Sequence, residues 1–226
     1  LGYGVVLPEM LDSLGLGRTA GGTVYNAYLL IYITFTPFTG YLTDRYGARR
    51  VISICMFVLA LGVSLMGTAG TLLSACLFFG LAGLGATGIW TPVLTVIQRW
   101  FAPDRRGLAV GILSTGYGLG FASIGLAFPW ILERFDWRHS WYFLGGAAFV
   151  MVVLNGIFLR SDPAGSGLSP WGNAAGKKLD VAPETRNVLS VNPAKIFRSS
   201  RFWLIGASYF CIAYSLYGIT TFMVDY

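Results

Sequence analysis

The sequence predicts an all-α polytopic membrane protein, and three observations carry that reading. Apolar residues make up 55% of the 226-residue chain while charged residues make up 12%, about half the share usual in a soluble domain. Mean hydropathy is +0.64. Six segments run long without a charge: residues 23–42, 51–71, 72–98, 108–132, 140–159 and 202–224. A membrane-crossing helix needs about 20 such residues. One water-soluble core cannot enclose that much apolar surface.

Taken in order, Leu1 to Leu7 is already apolar ahead of Pro8 and reads as the tail of a first helix whose start lies outside this sequence. The second and third helices flank the strip "GYLTDRYGARRV" at 40–51. The fourth, 72–98, is long enough to tilt or bend. The fifth and sixth follow, and the chain ends at Tyr226 at the end of a seventh. The expected organisation is a bundle of six helices over 1–160, a linker over 161–200, and the first helix of a second bundle over 201–226. The linker is polar, with "SDPAGSGLSPWGNAAGKK" rich in Gly, Ser and Pro. Near its end Asn192-Pro193 suits the start of a short surface helix, "PAKIFRSSR".

Alternating sides helix by helix sorts the positive charges. One side receives Arg45, Arg49, Arg50, Arg99, Arg105, Arg106 and the seven Lys and Arg from Arg160 to Arg201, 13 in all, against Arg18, Arg134 and Arg138 on the other. The positive-inside rule places the richer side, with the Asp44 turn and the linker, in the cytoplasm of a multi-pass cell-membrane protein. The net charge of +6 then follows from topology. It needs no nucleic acid; the expected surroundings are the lipid bilayer. Cys55, Cys76 and Cys211 sit inside apolar helices and read as small buried hydrophobes. The single histidine, His139, stands beside Arg138. No metal site and no cofactor is expected.

The strip at 40–51 concentrates charge between two oily helices. Gly40 would let another helix approach closely. Gly47 suits a tight turn between two helices. Asp44 is placed at the membrane edge, where a helix N-terminus or an arginine stabilises a carboxylate. Arg49 and Arg50 begin the next helix. A plain basic loop that fixes topology would explain the arginines but not Asp44 or the glycines. A faint internal echo joins "DRYGAR" at 44–49 to "ERFDWR" at 133–138, on opposite faces, as inverted three-helix repeats predict.

The pattern G-x-x-x-D-R-x-G-x-R-R, spelled by Gly40, Asp44, Arg45, Gly47, Arg49 and Arg50, resembles the signature loop between helices 2 and 3 of the major facilitator superfamily. The resemblance implies two six-helix bundles, with this loop locking the cytoplasmic side of the outward-open state. "RWFAPDRRGLAVGILSTGYGLG" at 99–120 and "FDWRHSWYFLGG" at 135–146 resemble the oxalate/formate antiporter and monocarboxylate transporter families. Two departures limit what carries over. Proton-coupled relatives have an arginine in helix 4, in R-x-x-x-G-x-G; here Gly83 and Gly85 are present but the arginine position is Phe79. Antiporters often have Gly-Pro in helix 5, where Gly116 is here followed by Tyr117.

The glycines of the fourth and fifth helices are expected mostly to pack helices together. Pro92 should bend or loosen the fourth near Trp90 and Thr91. A Trp and a hydroxyl beside a mid-membrane proline suit a cavity wall, as does Tyr117 between glycines; ordinary aromatic packing is the alternative for each. The resemblance favours the cavity, because relatives that carry carboxylates place aromatics at the positions of Trp90 and Tyr117. It adds Tyr3 in the first helix and Tyr214 and Tyr217 in the seventh. Tyrosine hydroxyls and indole N–H groups can donate to carboxylate oxygens.

The expected function is secondary transport of a small organic anion, a mono- or dicarboxylate, by alternating access, with a coupling proton or a counter-substrate as further partner. Two rivals stay open: the same fold carrying a sugar, drug or amino acid, and a receptor or sensor that binds without moving its ligand. An intramembrane enzyme would need buried catalytic pairs or metal ligands, and the helices offer none.

Overall fold

The computed structural model describes residues 2–163, 167–172 and 198–222, the last stretch by backbone alone at 213, 214 and 216–222. Two compact units divide the chain at 173 and 174. The first holds seven helices: α1 (Gly2–Leu14), α2 (Arg18–Tyr46), α3 (Ala48–Met66), α4 (Leu72–Ala86), α5 (Trp90–Trp100), α6 (Pro103–Arg134) and α7 (Trp137–Phe158). The second holds α8 (Ser200–Phe222). The surface helix expected at 193–201 falls largely outside the described residues.

Among the described residues, four helical stretches are long and apolar enough to cross a membrane: Ala48–Met66, Leu72–Trp100, Pro103–Arg134 and Trp137–Phe158. The second of these joins α4 and α5. The uncharged 23–42 run lies within α2, whose threonines, tyrosines, glycines and Asn26 dilute its hydropathy.

Pro92 explains why the fourth span is two helices. It has no N–H to give the carbonyl four residues back, and its ring crowds that carbonyl. The chain tightens one turn earlier: Gly88 and Ile89 donate to Gly85 and Ala86 at 3.4 and 3.3 Å, three residues back instead of four. The regular pattern resumes at Val93, which donates to Ile89 at 3.2 Å.

Small residues set the packing of α4 against its neighbours. A Cβ on Gly83 would lie 2.6 Å from the Tyr28 carbonyl oxygen of α2, and one on Gly62 of α3 would lie 2.5 Å from the Ala82 nitrogen. Gly85 sits directly on the α3 backbone at Cys55 and Leu59. Side chains there would force the helices apart. The glycines of α6 behave differently from the expectation: Gly111, Gly116, Gly118, Gly120 and Gly125 have no described atom within 4 Å of where a Cβ would stand. Most of α6 faces away from the other helices, so its small residues have nothing to pack against within this unit.

The core lies at the end of the bundle away from the Asp44 turn. Val6 and Met10 of α1, Val24 of α2, Val63 and Met66 of α3, and Phe79 of α4 meet Trp137 and Trp141 of α7. Phe79 is the aromatic hub. Its ring lies 4.9 Å from those of Tyr3 and Tyr28 and 5.8 Å, edge-on, from Trp141.

Candidate functional site

The Asp44 strip is built on a helix–turn–helix. Gly47 ends α2 and starts α3 at φ +86° and ψ 147°, a region essentially confined to glycine. Its N–H closes α2 by donating to the Thr43 carbonyl at 3.0 Å. A valine there cannot hold this geometry without strain of about 1–3 kcal/mol. Gly47→Val is therefore expected to lower the unfolding temperature and misalign α2 and α3, with Gly47→Ala intermediate. Unchanged melting of both variants would contradict the turn's strict need for glycine.

Asp44 itself departs from the expectation of a loop residue. It lies in the last turn of α2 and is exposed. The strip thus puts a carboxylate at a helix C-terminus, where the backbone dipole disfavours negative charge. Among the described residues two ion pairs occur, Arg99–Asp162 and Arg138–Asp136, and Asp44 is in neither. The neighbouring arginines turn elsewhere. Arg45 donates to the Tyr41 hydroxyl at 3.2 Å and lies 5.6 Å over the Tyr46 ring. Arg49 ties the start of α3 to the end of α7: its backbone N–H donates to Ser161 Oγ at 2.9 Å and its guanidinium donates to the Gly156 carbonyl. Arg50 is exposed on the first turn of α3.

Gly40 also differs from the expectation. No described atom comes within 4 Å of a Cβ built on it, so no helix of this unit uses the close approach it permits. Gly40 and Asp44 lie four residues apart on α2, hence on one face. That face is open among the described residues.

The expected cavity residues are spread over four helices, α1, α5, α6 and α8. Trp90 opens α5 and is 44% exposed, with Thr91 exposed beside it. Tyr117 lies in mid-α6, 61% exposed, with its ring 4.6 Å from Phe121. α5 and α6 are packed neighbours. Tyr3 is placed otherwise: its hydroxyl donates to the Gly21 carbonyl at 2.6 Å and its ring stacks on Phe79. In this arrangement it joins α1 to α2 and α4, and its donor is engaged by the backbone. The side chains of Tyr214 and Tyr217 lie outside the described residues.

Sequence reasoning missed the tyrosine ladder of α2. Tyr25, Tyr28 and Tyr32 stack at 6.2 and 6.1 Å, and Tyr25 and Tyr28 continue onto Tyr3 and Phe79. The spacing of three and four residues was the available signal. An apolar groove of about 570 Å³ also lies between α5 and α6, lined by residues such as Val93, Ile97, Ala109 and Ile112. Of its lining only Trp100 and Trp171 carry a side-chain donor, and the Trp100 indole is engaged by the Arg160 carbonyl at 2.9 Å. Such a groove does not suit a desolvated carboxylate. No group of side chains able to hold a metal occurs among the described residues.

The long apolar helices, joined by short charged turns and followed by a further helix, define a multi-pass helical membrane protein. The chain belongs to the Major Facilitator Superfamily, whose family model matches residues 2–226. It is similar to the hexuronate transporter of Bacillus subtilis, 25% identical over 70% of this chain and 38% of that one. It is also similar to the oxalate:formate antiporter of Oxalobacter formigenes, 23% identical over 89% and 45%, and to monocarboxylate transporter 11 of Mus musculus, 29% identical over 71% and 37%. The chain spans less than half the length of each of these relatives.

Proposed function

We propose that this chain is part of a secondary active transporter that moves small organic anions, mono- or dicarboxylates, by alternating access. Its Asp44 turn and linker would face the cytoplasm. The observation that carries the gating half is Asp44: a solvent-facing carboxylate on the disfavoured end of α2, beside the bare patch left by Gly40. A group so placed gains when a partner of positive field docks on that face, and loses the gain when the face opens. The sorting of 13 positive residues against 3 supports the orientation. The organic-anion half rests on the relatives, whose names specify hexuronate, oxalate and formate, and monocarboxylate. The coupling partner, a proton or a counter-substrate, belongs to this reading only as a class. Phe79 and Tyr117 stand where the proton-coupling and exchange motifs would have their distinctive residues.

Uptake by the full-length protein in proteoliposomes tests the reading directly. Saturable uptake is expected for at least one of lactate, oxalate, succinate and glucuronate, and none for glucose or a neutral amino acid. Uptake of the neutral solutes alone would move the protein to the first rival function, and saturable binding without flux to the receptor reading.

In the same reading Trp90 and Tyr117 face the substrate pathway. Cysteine at either position, with Cys55, Cys76 and Cys211 replaced, should react with a small polar thiol reagent. Saturating substrate should slow that reaction severalfold. Labelling that substrate leaves unchanged returns both residues to ordinary helix packing.

A further inference from the structure

The polar stretch after α7 contains one tryptophan, in Ser-Pro-Trp-Gly at 169–172. Its ring stays 57% exposed, but its backbone is held at the elbow between α5 and α6. The Trp171 N–H donates to the Trp100 carbonyl at 2.8 Å, and the Ala102 N–H donates to the Trp171 carbonyl at 3.0 Å. These bonds accompany a parallel bridge between Trp171 and Phe101, the one β-type pairing among the described residues. The Trp171 ring stands edge-on to Phe101 at 5.8 Å and lies under the Arg105 guanidinium at 5.6 Å. Gly172 turns the chain away at φ +93°, and the Arg105 side chain occupies the space a Cβ would need, 2.7 Å away.

A second tie fixes the chain just after α7 to the same elbow. The Trp100 indole donates to the Arg160 carbonyl at 2.9 Å, and Arg99 pairs with Asp162 at 3.9 Å. The elbow is itself closed by Arg106, which donates to the Gln98 and Phe101 carbonyls. Residues 99–106 therefore hold the linker at two separate points.

We infer that Trp171 is a clip that fastens the start of the linker to the α5–α6 elbow, so that the two move as one body. The chain after α7 is then held to the elbow as far as Gly172, and not only at the end of α7. Every contact involved is local to the first unit. A displacement of the elbow is thereby passed to residues 171 and 172, which makes Trp171 a positioning residue.

Disulfide trapping in the full-length protein tests this, with Cys55, Cys76 and Cys211 replaced. A Cβ at 172 would stand 3.6 Å from that of Ala102, within the usual disulfide range of about 3.5–4.5 Å. Ala102→Cys with Gly172→Cys is expected to cross-link under mild oxidation, and adding Trp171→Ala should suppress the link. Cysteine strains the backbone at 172, so hydrogen exchange gives an arm with the native glycine. The amides of residues 102 and 171 should exchange about tenfold faster in Trp171→Ala than in wild type. Equal exchange in the two proteins, or cross-linking indifferent to Trp171, overturns the clip. Neither arm uses substrate, so both stand apart from the transport reading. A third arm depends on that reading: the cross-linked protein should still transport. Flux lost on cross-linking and restored on reduction would mean the linker leaves the elbow during the cycle, which overturns the one-body inference.

Discussion

Asparagine in place of Asp44 is expected to leave expression and membrane insertion intact and to cut flux severalfold or more. The side chain is exposed, in neither ion pair among the described residues, and set on the unfavourable end of the α2 dipole. Removing its charge therefore costs this unit no described ion pair. The loss falls on the closed state, where the carboxylate would meet the field of a helix N-terminus or a cation. A hydrogen bond to a charged group contributes about 1.5–3 kcal/mol, and each 1.4 kcal/mol or so is a factor of ten in an equilibrium. The locked population should fall accordingly, and cysteines on the Asp44 side of the membrane should label faster. Gly40→Leu serves as a companion, because it fills the open patch without touching the charge. It should impair flux while leaving folding alone. Wild-type flux and wild-type labelling in Asp44→Asn would end the locking role.

The sequence made the spans and the turn readable because both depend on local chemistry. Uncharged runs must be buried or lie in lipid, and they appear as α3, the paired α4 and α5, α6 and α7. Gly47 was readable because two helices joined by one residue need a conformation that glycine adopts freely. Pro92 was readable because its missing N–H acts within one turn. Partners were not readable. Asp44 looked like a loop residue, since its turn glycine follows only three positions later, yet the helix continues through Tyr46. The α6 glycines looked like packing residues by composition, and whether they pack depends on which way the helix faces. Tyr3 looked like a cavity donor by helix number, and its hydroxyl is instead taken by the Gly21 carbonyl across a helix pair. Trp171 looked like part of a tether, because nothing in a Gly/Ser/Pro-rich segment says which elbow it meets. For Tyr3 and Trp171 the deciding atoms lie on another element, far along the chain.

Phe79 gives the sharpest test of how the family pattern should be carried onto this chain. In the helix 4 pattern R-x-x-x-G-x-G the glycines fall at Gly83 and Gly85, and they pack on opposite neighbours: Gly83 on the Tyr28 carbonyl of α2, Gly85 on the α3 backbone at Leu59. Gly85→Leu should therefore drive α3 and α4 apart and abolish a folded, monodisperse protein. The position of the arginine is filled by a ring that is 8% exposed and stacked among Tyr3, Tyr28 and Trp141. An arginine there would bury a charge among rings, at a cost of about 3–5 kcal/mol if left unpaired. At ~2–4 °C per kcal/mol the Phe79→Arg protein should melt roughly 10 °C lower. Phe79→Leu keeps the site apolar and should cost only about 1–2 kcal/mol. The order Arg well below Leu is the informative result, because lost ring stacking alone would not separate the two. A Phe79→Arg protein as stable as wild type would mean that position 79 reaches water or a counter-charge. Its neighbourhood would then be a cavity after all, and the arginine pattern of proton-coupled relatives would fit this chain as well.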